Sequence, residues 1–231
     1  AGWAVRRKSN HYTAYDEVVK KFGKMIDVDP WMLNPFHAKC SGVNFQEGEG
    51  EDALAASVDV LLAKIRKKYK EYGIKEKPFV IVKPDAGTYG TGIMTVRDAS
   101  EVRDLSRKQR DKMSIVKDGQ LVTDVIIQEG VPTFESIKDA VAEPVVYMID
   151  RYVVGGFYRV HAEKGVDQNL NAPGSQYVPL AFAQQHAVPD LKAKPGTAAP
   201  NRFYVYGVVA RLALLAASLE MERTDPNPEV Y

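Results

Sequence analysis

Cysteine is almost absent from this sequence, Cys40 being the only one. A single thiol cannot close an internal disulfide, which fits a reducing, cytoplasmic setting, and with no reactive-cysteine signature around it Cys40 reads as a small core side chain. Histidine is nearly as scarce. His11, His37, His161 and His186 never fall at the i, i+4 spacing that sets two imidazoles on one helix face, so no structural metal site is expected. An excess of one charge is missing too: 31 Lys and Arg stand against 30 Asp and Glu. That balance removes any broad attraction for nucleic acid or an anionic membrane, and leaves anion binding to local clusters. Long apolar runs are limited to one, Phe203 to Met221, which carries Arg211 at its centre. An arginine there costs about 2.5–3.5 kcal/mol on insertion scales, so a buried helix of a soluble protein is expected rather than a membrane span. The chain opens on Ala1, Gly2 and Trp3 without an initiator methionine or signal-like segment, and a piece of a longer protein without its N-terminal domain is the expectation.

What is present is enough apolar residue, 45% of 231, to bury one large core or two small ones. Tyr15, Val18, Val19 and Phe22 share a face of a short helix over 12–22, and the Asp29-Pro30 and Asn34-Pro35 pairs then leave 27–50 mostly loop. Leu54, Val58, Leu61, Leu62, Ile65 and Tyr69 recur at three- and four-residue spacing, predicting an amphipathic helix over 51–72 stopped by Gly73, with basic last turns that suit its dipole. Residues 79–83 and 93–96 read as strands around Asp85-Ala-Gly-Thr-Tyr-Gly-Thr-Gly92. A helix over 100–113 follows, opened by Asp98 and Glu101, its charges from Arg103 to Lys112 forming a solvated face. Strands are predicted at 125–128, 145–149 and 152–160, the last two turning at Asp150-Arg151, and a final helix over 203–222. Residues 186–201 read as a linker.

The chemistry concentrates in 79–96. Lys83 ends a strand, and Gly87, Gly90 and Gly92 follow it, so a cation and a closely approaching backbone converge as a triphosphate requires. A P-loop sets its lysine after the glycines, and a dinucleotide fingerprint leads straight into a helix; neither order is found. Strand, lysine, glycine loop and return strand make a hairpin flap able to close over phosphates, or an ordinary hairpin with a flexible tip.

The order of segments resembles the ATP-grasp superfamily. Ile126-Ile-Gln-Glu-Gly-Val131 looks like its nucleotide-hinge segment, and Tyr147 to Val160 followed by Asn169-Leu-Asn-Ala-Pro-Gly174 resembles the hairpin and asparagine loop of glutathione-synthetase-like members. Together with Arg7-Lys-Ser-Asn-His11, Asp29-Pro-Trp31 and Glu143-Pro-Val-Val-Tyr147, these segments resemble the proteobacterial ATP-grasp type of glutamate–cysteine ligase from about residue 6 to residue 225. The resemblance implies an α+β, ATP-grasp fold of antiparallel sheets with flanking helices, with residues 1–75 leading into a nucleotide-binding region over 76–231. It implies a cytoplasmic enzyme that spends ATP, with magnesium, to phosphorylate the γ-carboxylate of glutamate and pass it to the amine of cysteine. Another amine acceptor, or a nucleotide-binding module without catalysis, are the alternatives. By resemblance, Lys83 and Arg159 act on the transferring phosphoryl group. Lys83, Gly87, Thr88, Tyr89, Gly90, Gly92, Gln128, Glu129, Val131, Asn169 and Asn171 hold the nucleotide. From the residues alone, Arg159 equally suits a cross-strand ion pair, and Asn169 or Asn171 a turn cap. The family's acidic, metal-binding ending is not found. Asp150, Glu129, Glu135 and Glu143 are weak substitutes, and Glu220, Glu222, Asp225 and Asn227 read as a solvated terminus, so the magnesium ligands stay unassigned. Arg6, Arg7 and Lys8 with Asn10 read either as a substrate-carboxylate site or as an exposed basic arm.

Overall fold

The computed structural model describes residues 6–87, 92–114, 119, 121–180 and 202–225. The chain divides into two compact units: 1–132 with 219–231, and 133–218. The expected boundary near residue 75 falls inside the first unit.

In the first unit, α1 (Lys8–Ile26), β1 (His37–Ser41), α2 (Glu51–Tyr72), β2 (Val80–Pro84), β3 (Met94–Val96), α3 (Ser100–Arg103), α4 (Arg107–Ser114) and β4 (Asp124–Glu129) follow in order. The strands form one antiparallel sheet, β1-β4-β2-β3. Leu54, Val58, Leu61, Leu62 and Ile65 of α2 bury against Val80, Val82, Val125 and Ile127 of the sheet, each such side chain stabilising the fold by about 1.5–3 kcal/mol relative to exposure. Gly73 ends α2 in the left-handed conformation, φ 69°, as a glycine C-cap does. On β2, Val80, Val82 and Pro84 are buried in alternation, which the two-residue period of a strand converts into a second face carrying Ile81 and Lys83.

Three local expectations change. β1 lies where loop was expected: His37-Ala-Lys-Cys-Ser has no β-branched residue, and its strand state comes from pairing with β4. The expected helix over 100–113 is two, because Ser106 starts a new one with a capping box, its amide and hydroxyl donating to Gln109 Oε1 at 2.9 and 2.6 Å. Arg110 leaves the solvated face to bond Glu51 and the Phe45 and Leu105 carbonyls. The Asp98–Glu101 cap forms as predicted, the Asp98 amide donating to Glu101 Oε1 at 3.1 Å.

In the second unit β5 (Ser136–Ile137), β6 (Ala140–Ile149), β7 (Tyr152–His161) and β8 (Gln176–Pro179) form an antiparallel sheet in that order. β6 and β7 turn at Asp150-Arg151, with Asp150 at φ 52°. Tyr147 pairs with Gly155 and Met148 with Val153, so Val154 is an extra residue and the register shifts there. Helix α5 (Arg202–Thr224) is long and apolar enough to cross a membrane by length and composition, yet the buried helix expected is not what forms: 22% of its apolar window is buried. Tyr204, Val205, Leu214, Leu215 and Met221 are exposed, and Arg211 bonds the carbonyls of Arg151 and Gly207 at 3.0 Å each. The expected linker, 186–201, lies outside the described residues.

Candidate active site

Lys83 stands at the end of β2, on the sheet face turned away from the α2 core. Its Nζ donates to Gln128 Oε1 at 2.6 Å and lies 5.6 Å from the centre of the Tyr12 ring. Gln128 is on β4, antiparallel to β2, and Tyr12, on α1, is itself hydrogen-bonded to Gln128. Among the described residues no carboxylate neutralises this ammonium. Burial first, and then the neighbouring Lys8, lower its pKa from 10.5 to about 8.

The stem of the glycine loop is fastened to the start of α1. Arg7, at the N-cap, gives its helix no side-chain cap. Asp85 caps it from across the chain: the fully buried carboxylate accepts from the Ser9 amide and hydroxyl, both at 2.7 Å, while the Asp85 carbonyl accepts from the Lys8 amide at 2.8 Å. Lys8 Nζ then donates to the carbonyls of Pro84, Ala86 and Gly87 at 2.8, 3.1 and 2.8 Å. Gly87 and Gly92 bracket the loop at φ 83° and 67°, and a Cβ on Gly92 would meet Pro84 Cγ at 3.0 Å, so both the dihedral and the contact select glycine there. Thr88, Tyr89 and Gly90 lie outside the described residues.

Above this stem opens a cavity of about 480 Å³ lined by Arg6, Arg7, Lys8, His11, Tyr12, Lys83 and Gly87. Its cations are not equivalent. Arg6 is held by Glu220, and Lys8 by three carbonyls. Arg7 is exposed and makes no hydrogen bond or ion pair among the described residues, and Lys83 has a neutral amide oxygen as its acceptor. Among the described residues two positive charges without an anionic partner therefore face a cavity that Gly87 also lines, an arrangement suited to a polyanion. Glu220, which the sequence placed in a solvated terminus, is 3% exposed and belongs to this site. Nothing local signals it, since its partners Arg6 and His11 are 214 and 209 residues away.

The other residues singled out from sequence distribute as follows. Glu129 is buried, with Oε2 accepting from the Trp31 indole and the Phe36 amide at 2.9 Å each, and burial raises its pKa. It props the 29–36 loop against β4. Val131 is exposed. In the second unit Arg159 pairs with Glu143, directly opposite it in the β6–β7 register. Asn169 Oδ1 accepts from the Asn171 amide at 3.0 Å, closing an Asx turn. Cys40 is buried with its thiol pKa raised by burial, as a core cysteine's should be.

The first unit is thus an α+β domain, an antiparallel sheet flanked by helices, in which a central strand delivers a half-buried lysine and a glycine turn to a cationic pocket. The chain belongs to the glutamate-cysteine ligase family, whose family model matches residues 1–221. A crystal structure described as "Putative gamma-glutamylcysteine synthetase" from Methylobacillus flagellatus KT is 64% identical, with a TM-score of 0.84; the match covers 97% of this chain and 53% of that one. This chain therefore spans about half the length of that relative. No curated protein matches it.

Proposed function

We propose that this chain supplies the nucleotide-phosphate side of a ligase that joins the γ-carboxylate of L-glutamate to the amine of L-cysteine, the first step of glutathione synthesis, and that its fold is an ATP-grasp. The observation that carries the reading is the pocket in which Lys83, with no carboxylate partner among the described residues, meets the glycine turn at Gly87. Family membership supports the choice of acid and amine.

In this reading Lys83 and the 87–92 backbone hold the phosphates of ATP, and the 128–131 segment borders the base. An anion drawn against Lys83 returns its ammonium to full charge at neutral pH, since an opposite charge opposes the effect of burial. The family resemblance assigns to Arg159, which here pairs with Glu143, the neutralisation of charge developing on the transferring phosphoryl group, and to Asn169 and Asn171 a part in phosphate binding. Acyl-phosphate formation followed by amine attack asks the protein for positioning and charge neutralisation and needs no covalent nucleophile. The enzyme is cytoplasmic in this reading, in keeping with its single, free, buried cysteine. Magnesium would shield the transferring phosphate, but no group of three His, Cys, Asp or Glu side chains able to hold a metal ion occurs among the described residues. Its ligands are unassigned, and no step is derived through it.

The test uses the complete protein with ATP, magnesium, glutamate and cysteine, and measures ADP, phosphate and a γ-linked dipeptide. Product that depends on both amino acids is the expected result. ADP release indifferent to them would overturn the reading, as would a Lys83→Met variant that binds and turns over ATP like the parent.

A further inference from the structure

Glu220 is an anion buried in the wall of a pocket built to attract anions. Its Oε1 and Oε2 accept from Arg6 Nε and Nη2 at 2.7 and 2.6 Å, and His11 Nδ1 lies 3.1 Å from Oε2. Arg6 and His11 both line the cavity, while the carboxylate behind them is 3% exposed. The Arg6 bond holds the Glu220 carboxyl below the usual glutamate range, so it remains a charge at neutral pH. The helix that carries it is attached to α1 a second time, by the two-pronged Arg223–Glu17 pair at 2.8 and 2.7 Å. A helix already fastened at the surface has no structural need of a buried carboxylate beside a cationic pocket.

We propose that Glu220 is a positioning residue for the pocket: it withdraws the Arg6 charge from ligand binding and orients Arg6 and His11 in the wall. The polyanion is then drawn to Lys83 and Arg7 beside the glycine turn. The proposal rests on the reading of this pocket as a phosphate site. Removing one unpaired charge from a pocket, or adding one, at a distance of one or two side chains changes the affinity for a small polyanion by about fivefold once solvent screening is included.

The experiment titrates the complete protein with inorganic pyrophosphate by calorimetry, comparing the parent with Glu220→Gln, Arg6→Gln and the double variant, with circular dichroism to confirm the fold. Glu220→Gln adds one net positive charge to the pocket, Arg6→Gln removes one, and the double variant restores the parental charge. Pyrophosphate should bind about fivefold tighter to Glu220→Gln, with a steeper salt dependence, and about fivefold weaker to Arg6→Gln. The double variant should lie within about twofold of the parent. A purely structural role predicts weaker binding in all three, and that result would overturn the proposal, as would a Glu220→Gln variant indistinguishable from the parent. A Lys83→Met control separates the two readings. If it weakens pyrophosphate binding while the Glu220 series stays flat, the inference about Glu220 falls and the phosphate site stands. If Lys83→Met binds as the parent does, the phosphate site itself falls.

Discussion

Replacing Asp85 by alanine should cost about 2–4 kcal/mol and loosen the stem of the glycine loop, although Asp85 touches no ligand-facing space. The magnitude follows from its partners. The carboxylate caps the start of α1, a role worth about 1 kcal/mol, and it accepts the Ser9 hydroxyl in a charge-assisted bond worth about 1.5–3 kcal/mol. Alanine removes both acceptors from a fully buried position and leaves the Ser9 hydroxyl without its partner there. Asp85→Asn keeps one oxygen for the Ser9 amide and offers an amide group to the hydroxyl, so it should lose about 1 kcal/mol. Because the chain divides into two compact units, a single melting temperature can mix events, and the sharper assay is amide hydrogen exchange at Ser9, read by mass spectrometry or NMR. Faster exchange confined to the start of α1, together with weaker nucleotide binding, is the expected pair of results. If Asp85→Ala exchanges at Ser9 and melts as the parent does, the carboxylate is not the clamp that its geometry implies.

Three more outcomes follow from the site. With the Lys83 pKa lowered to about 8, the free protein loses this charge as pH rises through that value, so kcat/KM for the nucleotide should fall above about pH 8 with a one-proton slope; a profile flat to pH 9 would remove Lys83 from binding. The same shift has a stability sign: below the folded pKa the buried ammonium is a penalty, and between about 8 and the unfolded value of 10.5 stability should rise, a trend absent in Lys83→Met denaturation curves. Glu129→Ala should cost about 2–3 kcal/mol by stranding the Trp31 indole and the Phe36 amide, whereas Glu129→Gln retains an acceptor for both. Since burial raises the Glu129 pKa, the parent should gain stability over Glu129→Gln as pH falls through that raised value, measured as a difference in melting temperature. Gly92→Ala should cost about 1–2 kcal/mol from its φ of 67°, with added crowding at Pro84, and should raise the nucleotide KM more than it lowers thermal stability.

Where local pattern and tertiary demand agree, the fold was legible in the sequence. All six apolar positions read for α2 are buried, and the helix runs Glu51–Tyr72 with Gly73 at its C-cap, because one amphipathic stripe faces one sheet. The β6–β7 turn at Asp150-Arg151 was legible for the same reason, as two β-branched runs with a two-residue break between them. β1 was not legible. Its five residues lack strand propensity, and their conformation is imposed by β4, almost ninety positions later, as the His37–Gln128 and Ser41–Asp124 pairs show. The start of α1 was placed at 12 and lies at Lys8 because its cap, Asp85, is 76 residues away from Ser9.

The candidate site divides along the same physical line. That Arg6, Arg7 and Lys8 form one cationic cluster, and that Lys83 serves a glycine loop, is readable from residue types and spacing; that all four share one pocket, and which of them can bind an anion, depends on the fold and on which are already spent. Glu220 neutralises Arg6 and three carbonyls occupy Lys8, and every one of these partners lies 76 or more residues away in sequence. Spacing therefore identifies the charges, and long-range pairing sets their sum. Arg6, Arg7, Lys8 and Lys83 all line this mouth; after pairing among the described residues, Arg7 and Lys83 remain to do the attracting. A change at Glu220 would alter that sum as surely as a change at Lys83, so the anion affinity of the pocket is governed as much by its buried acid as by its exposed bases.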